Sequence, residues 1–137
     1  MAKKFEQISK ISGFMKHNGG LLFRQVSKKN FEFKVKILNK HLNRRKITHG
    51  GYICAIIDAG AGTAVYRNTS GKSCVTISLD IKFISMTKLN DEIKGKVKII
   101  KKTNSMIFVT CELLSQKKLV AQASGIWKVI KKVWLAF

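Results

Sequence analysis

A single acid interrupts a long apolar stretch. Residues 52–66 read YICAIIDAGAGTAVY, and Asp58 is the only charged residue between Lys46 and Arg67. Its neighbours Ile56, Ile57, Ala59 and Gly60 offer no counter-charge. Burying an unpaired carboxylate is costly unless the group neutralises or finds donors. Asp58 therefore either reaches water or a distant lysine, or it is a working carboxylate held in a dry pocket for acid–base chemistry. Just upstream stands His49-Gly50-Gly51. Glycines let other groups approach the backbone closely. The start of a helix presents unpaired N–H groups and a partial positive charge. Together they suit an anion or an oxyanion that develops during reaction. Taken alone, the same triplet also makes an ordinary capping turn. Asp58 lies two helical turns beyond Gly51, on the same face but ~10 Å further along the axis. A carbonyl docked at Gly50 is not readily reached by the same chain's Asp58, and a second subunit could supply the acid.

The elements that position these groups follow from periodicity. Phe5, Ile8 and Ile11 recur at spacing three and predict a short N-terminal helix over residues 2–12. Residues 21–26 and 31–37 predict a hairpin, the second strand alternating Phe31, Phe33, Val35 and Ile37 with Glu32, Lys34 and Lys36. Residues 39–48 are polar, basic and aperiodic, a loop. The stretch 52–66 is too long for a typical strand and predicts a helix, apolar all round and hence buried all round. Glycine in a helix costs about 1 kcal/mol relative to alanine, so Gly60 and Gly62 point to close packing of a sheet against the helix. After it the chain reads as β: Val75, Ile77, Leu79, Ile81 and Phe83 alternate with polar residues, and three further alternating runs follow to Val129. The expected fold class is α+β, an antiparallel sheet of about six strands wrapped around one long buried helix.

His49-Gly50-Gly51 followed by Asp58 on such a helix resembles the PaaI-type acyl-CoA thioesterases of the hotdog fold. Residues 74–83, CVTISLDIKF, and 118–123, KLVAQA, are similar to the next and the closing strands of that family. The resemblance covers residues 19–130. It implies acyl-CoA thioester hydrolysis by a single hotdog domain over residues 1–137, with coenzyme A as part of the substrate and no separate cofactor or metal. Gly50 matches the glycine whose amide polarises the thioester carbonyl, and His49 the histidine that shapes its turn. Gly51 continues that substrate-binding turn. Asp58 matches the catalytic carboxylate, nucleophile or general base on water, supplied by the partner subunit of a homodimer or a dimer-of-dimers homotetramer. Asn43 matches an asparagine that helps hold the thioester. Ser78 matches a hydroxyl residue that positions water, and Thr76, two residues away on the same strand face, can exchange with it if the register slips. Where the family has a proline-containing turn this chain has Ile84-Ser85-Met86-Thr87-Lys88, and a family glycine is Asn90.

Composition narrows the field further. The chain has 137 residues, 45% hydrophobic and 25% charged, which excludes disorder and fibrous repeats. No apolar run reaches the roughly 18–20 residues of a membrane span. Three cysteines, Cys54, Cys74 and Cys111, lie in apolar segments without disulfide or metal-clip spacing. They predict buried reduced thiols and a cytoplasmic protein. His17 and His41 are expected at the surface. Lys and Arg total 27 against seven Asp and Glu, a formal net charge of +20. That field attracts polyanions. Arg44, Arg45 and Lys46, beside the expected site, are the local candidates for coenzyme A phosphates. Lys34, Lys36, Lys94, Lys96 and Lys98 are expected on the solvated outer face of the sheet. Trp127 and Trp134 alternate with lysines, an arrangement that serves nucleobase stacking or, more often, sheet packing. Two other classes stay in view: a non-catalytic acyl-CoA-binding hotdog domain, and a basic nucleic-acid-binding module resting on charge alone.

Overall fold

The computed structural model describes residues 2–130; Trp134 lies outside them. The chain runs through β1 (Glu6–Gln7), α1 (Phe14–His17), β2 (Leu22–Gln25), β3 (Asn30–Lys36), a 3-10 turn (Asn39–His41), α2 (Gly50–Asn68), β4 (Cys74–Phe83), β5 (Glu92–Lys102), β6 (Met106–Ser115) and β7 (Lys118–Val129). All pairings are antiparallel, and the sheet order is β1-β2-β3-β5-β6-β7-β4. The sheet has seven strands because a two-residue strand is added at the β2 edge.

That strand replaces the helix expected over residues 2–12. Glu6 pairs with Phe23 and Gln7 with Leu22, and the Ile8 amide donates to the Leu21 carbonyl. A helix of three turns must nucleate on its own, whereas the open edge of β2 offers ready backbone partners. Phe5 helps hold the segment in place: the Arg24 guanidinium lies 4.2 Å and the Lys34 ammonium 4.6 Å from its ring centre. The short N-terminal helix is α1, one turn further along.

Helix α2 packs on the inner face of the sheet through Tyr52, Ile53, Ile56, Ile57, Gly60, Ala61, Ala64 and Val65. Opposite them lie the alternate inward residues of the strands, among them Phe31, Phe33, Ile93, Val97, Ile107 and Leu113. The closest approach is at Phe33. A Cβ on Gly60 of the helix or on Gly95 of β5 would overlap its ring, so glycine on both sides lets a phenyl fill the gap between layers.

The helix is not buried all round. Gly51, Cys54, Ala55, Asp58, Ala59, Gly62, Thr63 and Tyr66 form one stripe, exposed or half-buried. Small apolar residues read as core in the sequence, yet here they line the uncovered side. Cys54 and Cys74 are accordingly half-buried, and only Cys111 is fully enclosed, where burial pushes its thiol up to about 12. On the outer face, Lys96 and Lys98 point to solvent as alternation requires. Trp127 is 2% exposed and belongs to the core, leaving no free face for stacking. No helix among the described residues is long and apolar enough to cross a membrane.

Candidate active site

The helix tip is built by local hydrogen bonds. His49 is the N-cap, with extended backbone, and its Nδ1 accepts from the Gly51 amide at 2.8 Å. Its carbonyl takes the amides of Tyr52 and Ile53. A Cβ on Gly51 would stand 2.9 Å from that Nδ1, so the cap requires glycine there. Among the described residues the Gly50 amide has no acceptor, and the Phe83 ring of β4 flanks it, 3.6 Å from the position of a Cβ.

The loop before the tip is pinned on both sides. The Asn43 side-chain carbonyl accepts from the amides of Arg45 (2.9 Å) and Ile47 (3.4 Å), and the Asn43 amide donates to the Ile47 carbonyl. Asn43 is thus the organiser of a tight loop. Arg44, Arg45 and Lys46 project from it into solvent, Lys46 with φ 64. Buried Thr48 ties the end of the loop to Thr87, hydroxyl to hydroxyl at 2.7 Å.

His41 is a correction to the sequence reading: it is 2% exposed. Its ring stacks on Tyr52 with centroids 3.7 Å apart. Nδ1 accepts from the Leu38 amide at 2.9 Å, which leaves Nε2–H to donate to the Asn18 carbonyl at 2.6 Å. Its backbone carbonyl accepts from the His49 amide, so His41 anchors the turn that aims the helix tip. No local pattern marks such a residue, because its partners come from three separate segments. Tyr52 is equally enclosed; burial pushes its hydroxyl up to about 12, with no partner among the described residues.

Burial holds the His41 imidazole below its ordinary value of 6.5; Lys40 adds to this and the Asn18 carbonyl opposes it. The sign follows. As pH falls through about 6.5 the unfolded chain takes up the proton first, so the folded state loses stability until its own lower value is passed. Full stability is present above 6.5. Urea unfolding at pH 8 and pH 5 is expected to show this loss, and His41→Phe to remove its part of the difference.

Asp58 occupies the third turn of α2 and faces β4. It is exposed in the single chain rather than dry, and it accepts a 2.6 Å hydrogen bond from the Thr76 hydroxyl. Ser78 does not share this face. The register shifts between Thr76 and Ser78: Thr76 lies opposite Trp127, Ser78 opposite Ile126. One residue, Ile77, is extra, and a bulge of this kind reverses the alternation. Cys74 and Thr76 face the helix before it, Leu79 and Ile81 after it. Ser78 therefore stands on the other side of the sheet from Asp58, and the expectation that Thr76 and Ser78 share a face is overturned. The sequence alternates without a break through this point and carries no signal of the bulge.

A groove of about 490 Å³ opens beside Asp58 and Thr76, bounded by the N-terminal segment. A larger hollow of about 560 Å³, among Asp80, Lys96 and Glu112, lies on the outer face of the sheet, away from both Asp58 and the helix tip. The smaller of these two hollows holds a carboxylate and a hydroxyl donor, and elsewhere on the chain stands an amide-rich helix tip.

Comparisons with known proteins bear on the family and the fold. A Pseudomonas aeruginosa protein named as an esterase is 26% identical over 124 residues, covering 90% of this chain and 92% of that one. Acyl-coenzyme A thioesterase 13 of Mus musculus is 25% identical over 91 residues, 65% of each chain. The crystal structure of zebra fish thioesterase superfamily member 2 superposes with a TM-score of 0.81 at 19% identity, covering 89% of this chain and 90% of that one, a likeness of fold. Residues 46–122, from the loop before the helix tip into β7, match the Thioesterase superfamily. The hotdog sheet around α2, the capped glycine turn and that match together make this chain a member of the Thioesterase superfamily, whose chemistry is thioester hydrolysis.

Proposed function

We propose that this protein hydrolyses acyl-CoA thioesters in a site shared by two copies of the chain. The observation that carries the reading is the Asp58–Thr76 pair beside an open groove, together with an unspent Gly50 amide on a capped helix tip. The thioester oxygen sits at Gly50, where the helix start takes up the developing negative charge. Asp58 of the other copy either takes a proton from the attacking water, giving the free acid directly, or attacks the carbonyl itself to form an acyl–Asp58 anhydride that water then hydrolyses to the free acid. The new C–O bond forms, the C–S bond breaks, and coenzyme A leaves as thiolate. Thr76, by hydrogen bonding Asp58, fixes the direction of the carboxylate, and it stands in the site in place of Ser78, to which the resemblance gave the positioning of water. Asn43 braces the loop that carries Arg44, Arg45 and Lys46, which offer positive charge to the coenzyme A phosphates.

The edge of the sheet supports the second copy. β4 ends the strand order, its outer edge unpaired among the described residues, and exposes Val75, Ile77 and Phe83. Such an edge invites another strand. Two β4 strands joined antiparallel about a two-fold axis place the Thr76 end of one against the Phe83 end of the other. Asp58 accompanies Thr76, and Gly50 accompanies Phe83. The pairing thus brings together two groups that helix rise keeps ~12 Å apart within one chain.

The test is thiol release across short, long and aromatic acyl-CoAs. Thr76→Ala is expected to lower kcat/KM by about 10–100-fold, as loss of a hydrogen bond to a charged group does, and by more than Ser78→Ala. Equal effects of the two would contradict the assignment of Thr76. Tight acyl-CoA binding with no thiol release would instead identify the non-catalytic binding domain.

A further inference from the structure

We propose that Gly62 and the N-terminal segment, residues 8–16, form the acyl subsite of this protein and fit it to an unbranched, apolar acyl tail of medium length. This rests on the acyl-CoA reading above. The groove beside Asp58 follows one face of α2, from Asp58 through Gly62 to Tyr66. Eight residues of helix make it ~12 Å long, the reach of an extended tail rather than of an acetyl group or a single ring. Ile8, Ile11 and Met15 form one wall and Cys74 and Thr76 of β4 the other, with only an edge of the otherwise buried Trp127 ring reaching the groove.

Two hydroxyls along the groove are already engaged. The Thr63 hydroxyl donates to the Ala59 carbonyl at 2.7 Å, and the Ser9 hydroxyl accepts from the Leu21 amide at 3.2 Å. Lys10 and Lys16 stand exposed at the rim, with their ammonium groups free to stay in water. Beyond the Asp58–Thr76 pair the free polar atoms, among the described residues, are the Tyr66 hydroxyl at the far end and the indole N–H of Trp127; the stretch between is walled mainly by Ile8, Ile11, Met15, Ala59 and Gly62, so it favours a largely apolar tail. Ile11, 87% exposed, is the wall residue that such a tail would cover.

Gly62 sits midway. A Cβ there would meet only the Trp127 indole nitrogen, at an ordinary 3.5 Å. The helix and its packing therefore tolerate a side chain at this position, and anything longer projects into the groove. The absent side chain sets the depth.

Two unreactive ligands test the subsite apart from catalysis: the ethyl and decyl thioethers of coenzyme A, with Kd measured by calorimetry. The wild-type protein is expected to bind the decyl compound at least 10-fold more tightly than the ethyl one, since each buried methylene adds a few-fold. Gly62→Leu is expected to cut that ratio by 10-fold or more, and Gly62→Ala by less. Ile11→Asp, at an exposed position where folding is not at stake, is expected to cut it as well. The decanoyl-to-acetyl ratio of kcat/KM should follow the same order. Equal affinity of the wild type for both thioethers would overturn the proposal, as would a ratio unmoved by Gly62→Leu or, should that variant not fold, by Ile11→Asp. Thiol release is read separately: its absence with every acyl-CoA ends the hydrolase reading, while the thioether ratio still decides the subsite.

Discussion

Asp58→Asn is expected to lower acyl-CoA turnover by about 10²–10⁴-fold, the range over which a positioned acid–base group contributes, and to leave the fold unchanged. The amide has the shape of the carboxylate, and its carbonyl oxygen can still accept the Thr76 hydroxyl. The side chain is solvent-exposed in the single chain, so no buried charge is lost. What disappears is the negative oxygen that attacks the thioester or takes the proton of water. The loss should fall on kcat, because the amide occupies the same space in the Michaelis complex and only the transition state misses the charge. Thiol release with saturating substrate checks this, with far-UV circular dichroism as the control. Wild-type turnover in the variant would remove Asp58 from the mechanism, and with it the functional reading of the groove.

The second large effect comes from a backbone atom. Gly50→Pro deletes the amide at the helix tip and little else. Gly50 is the first residue of α2, the position where proline is favoured. His49 before it has φ −62 and ψ 132, the extended conformation that a residue preceding proline adopts. Added carbon atoms meet the Phe83 ring at ordinary contact distance. Loss of one oxyanion donor typically costs about 10²–10³ in rate, and that is the expected fall in kcat. Mixing the Gly50→Pro and Asp58→Asn proteins under conditions of subunit exchange then tests the shared site. A mixed pair contains one doubly defective site and one intact site, so random pairing restores about a quarter of wild-type activity. A site confined to one chain would restore none.

A single helix carries both Gly50 and Asp58, and its residues announce it. Fifteen consecutive apolar or small residues broken by one acid can only be a long element against a sheet, and α2 extends that stretch by two residues at each end to Gly50–Asn68. The capping turn is equally local: His49, Gly50 and Gly51 make it among themselves. The strands after the helix follow from period-two alternation, because a pleated chain sends successive side chains to opposite faces. The proposal of a site shared by two copies also starts from local geometry, since the rise of a helix fixes how far apart Gly50 and Asp58 must be within one chain.

Where alternation is unbroken but the partner strand is not in step, the sequence misleads. Val75, Ile77, Leu79, Ile81 and Phe83 look like one face, yet the extra residue at Ile77 turns Thr76 toward Asp58 and Ser78 away. His41 reads as a polar loop residue, yet Asn18, Leu38 and Tyr52 close around it. Residues 2–12 carry a helical stripe, yet the edge of β2 draws Glu6 and Gln7 into the sheet and sets Ile8 to Met15 along the groove.

The sequence by itself determined what each segment is: a capped helix with one acid, framed by alternating strands, under a strongly positive field. Only the tertiary structure decided which hydroxyl meets that acid, which side of the helix stays open, and which distant segment walls the groove. The first set depends on interactions within a few residues, which spacing records. The second depends on strand register and on contacts between segments far apart in the chain, which no local pattern encodes.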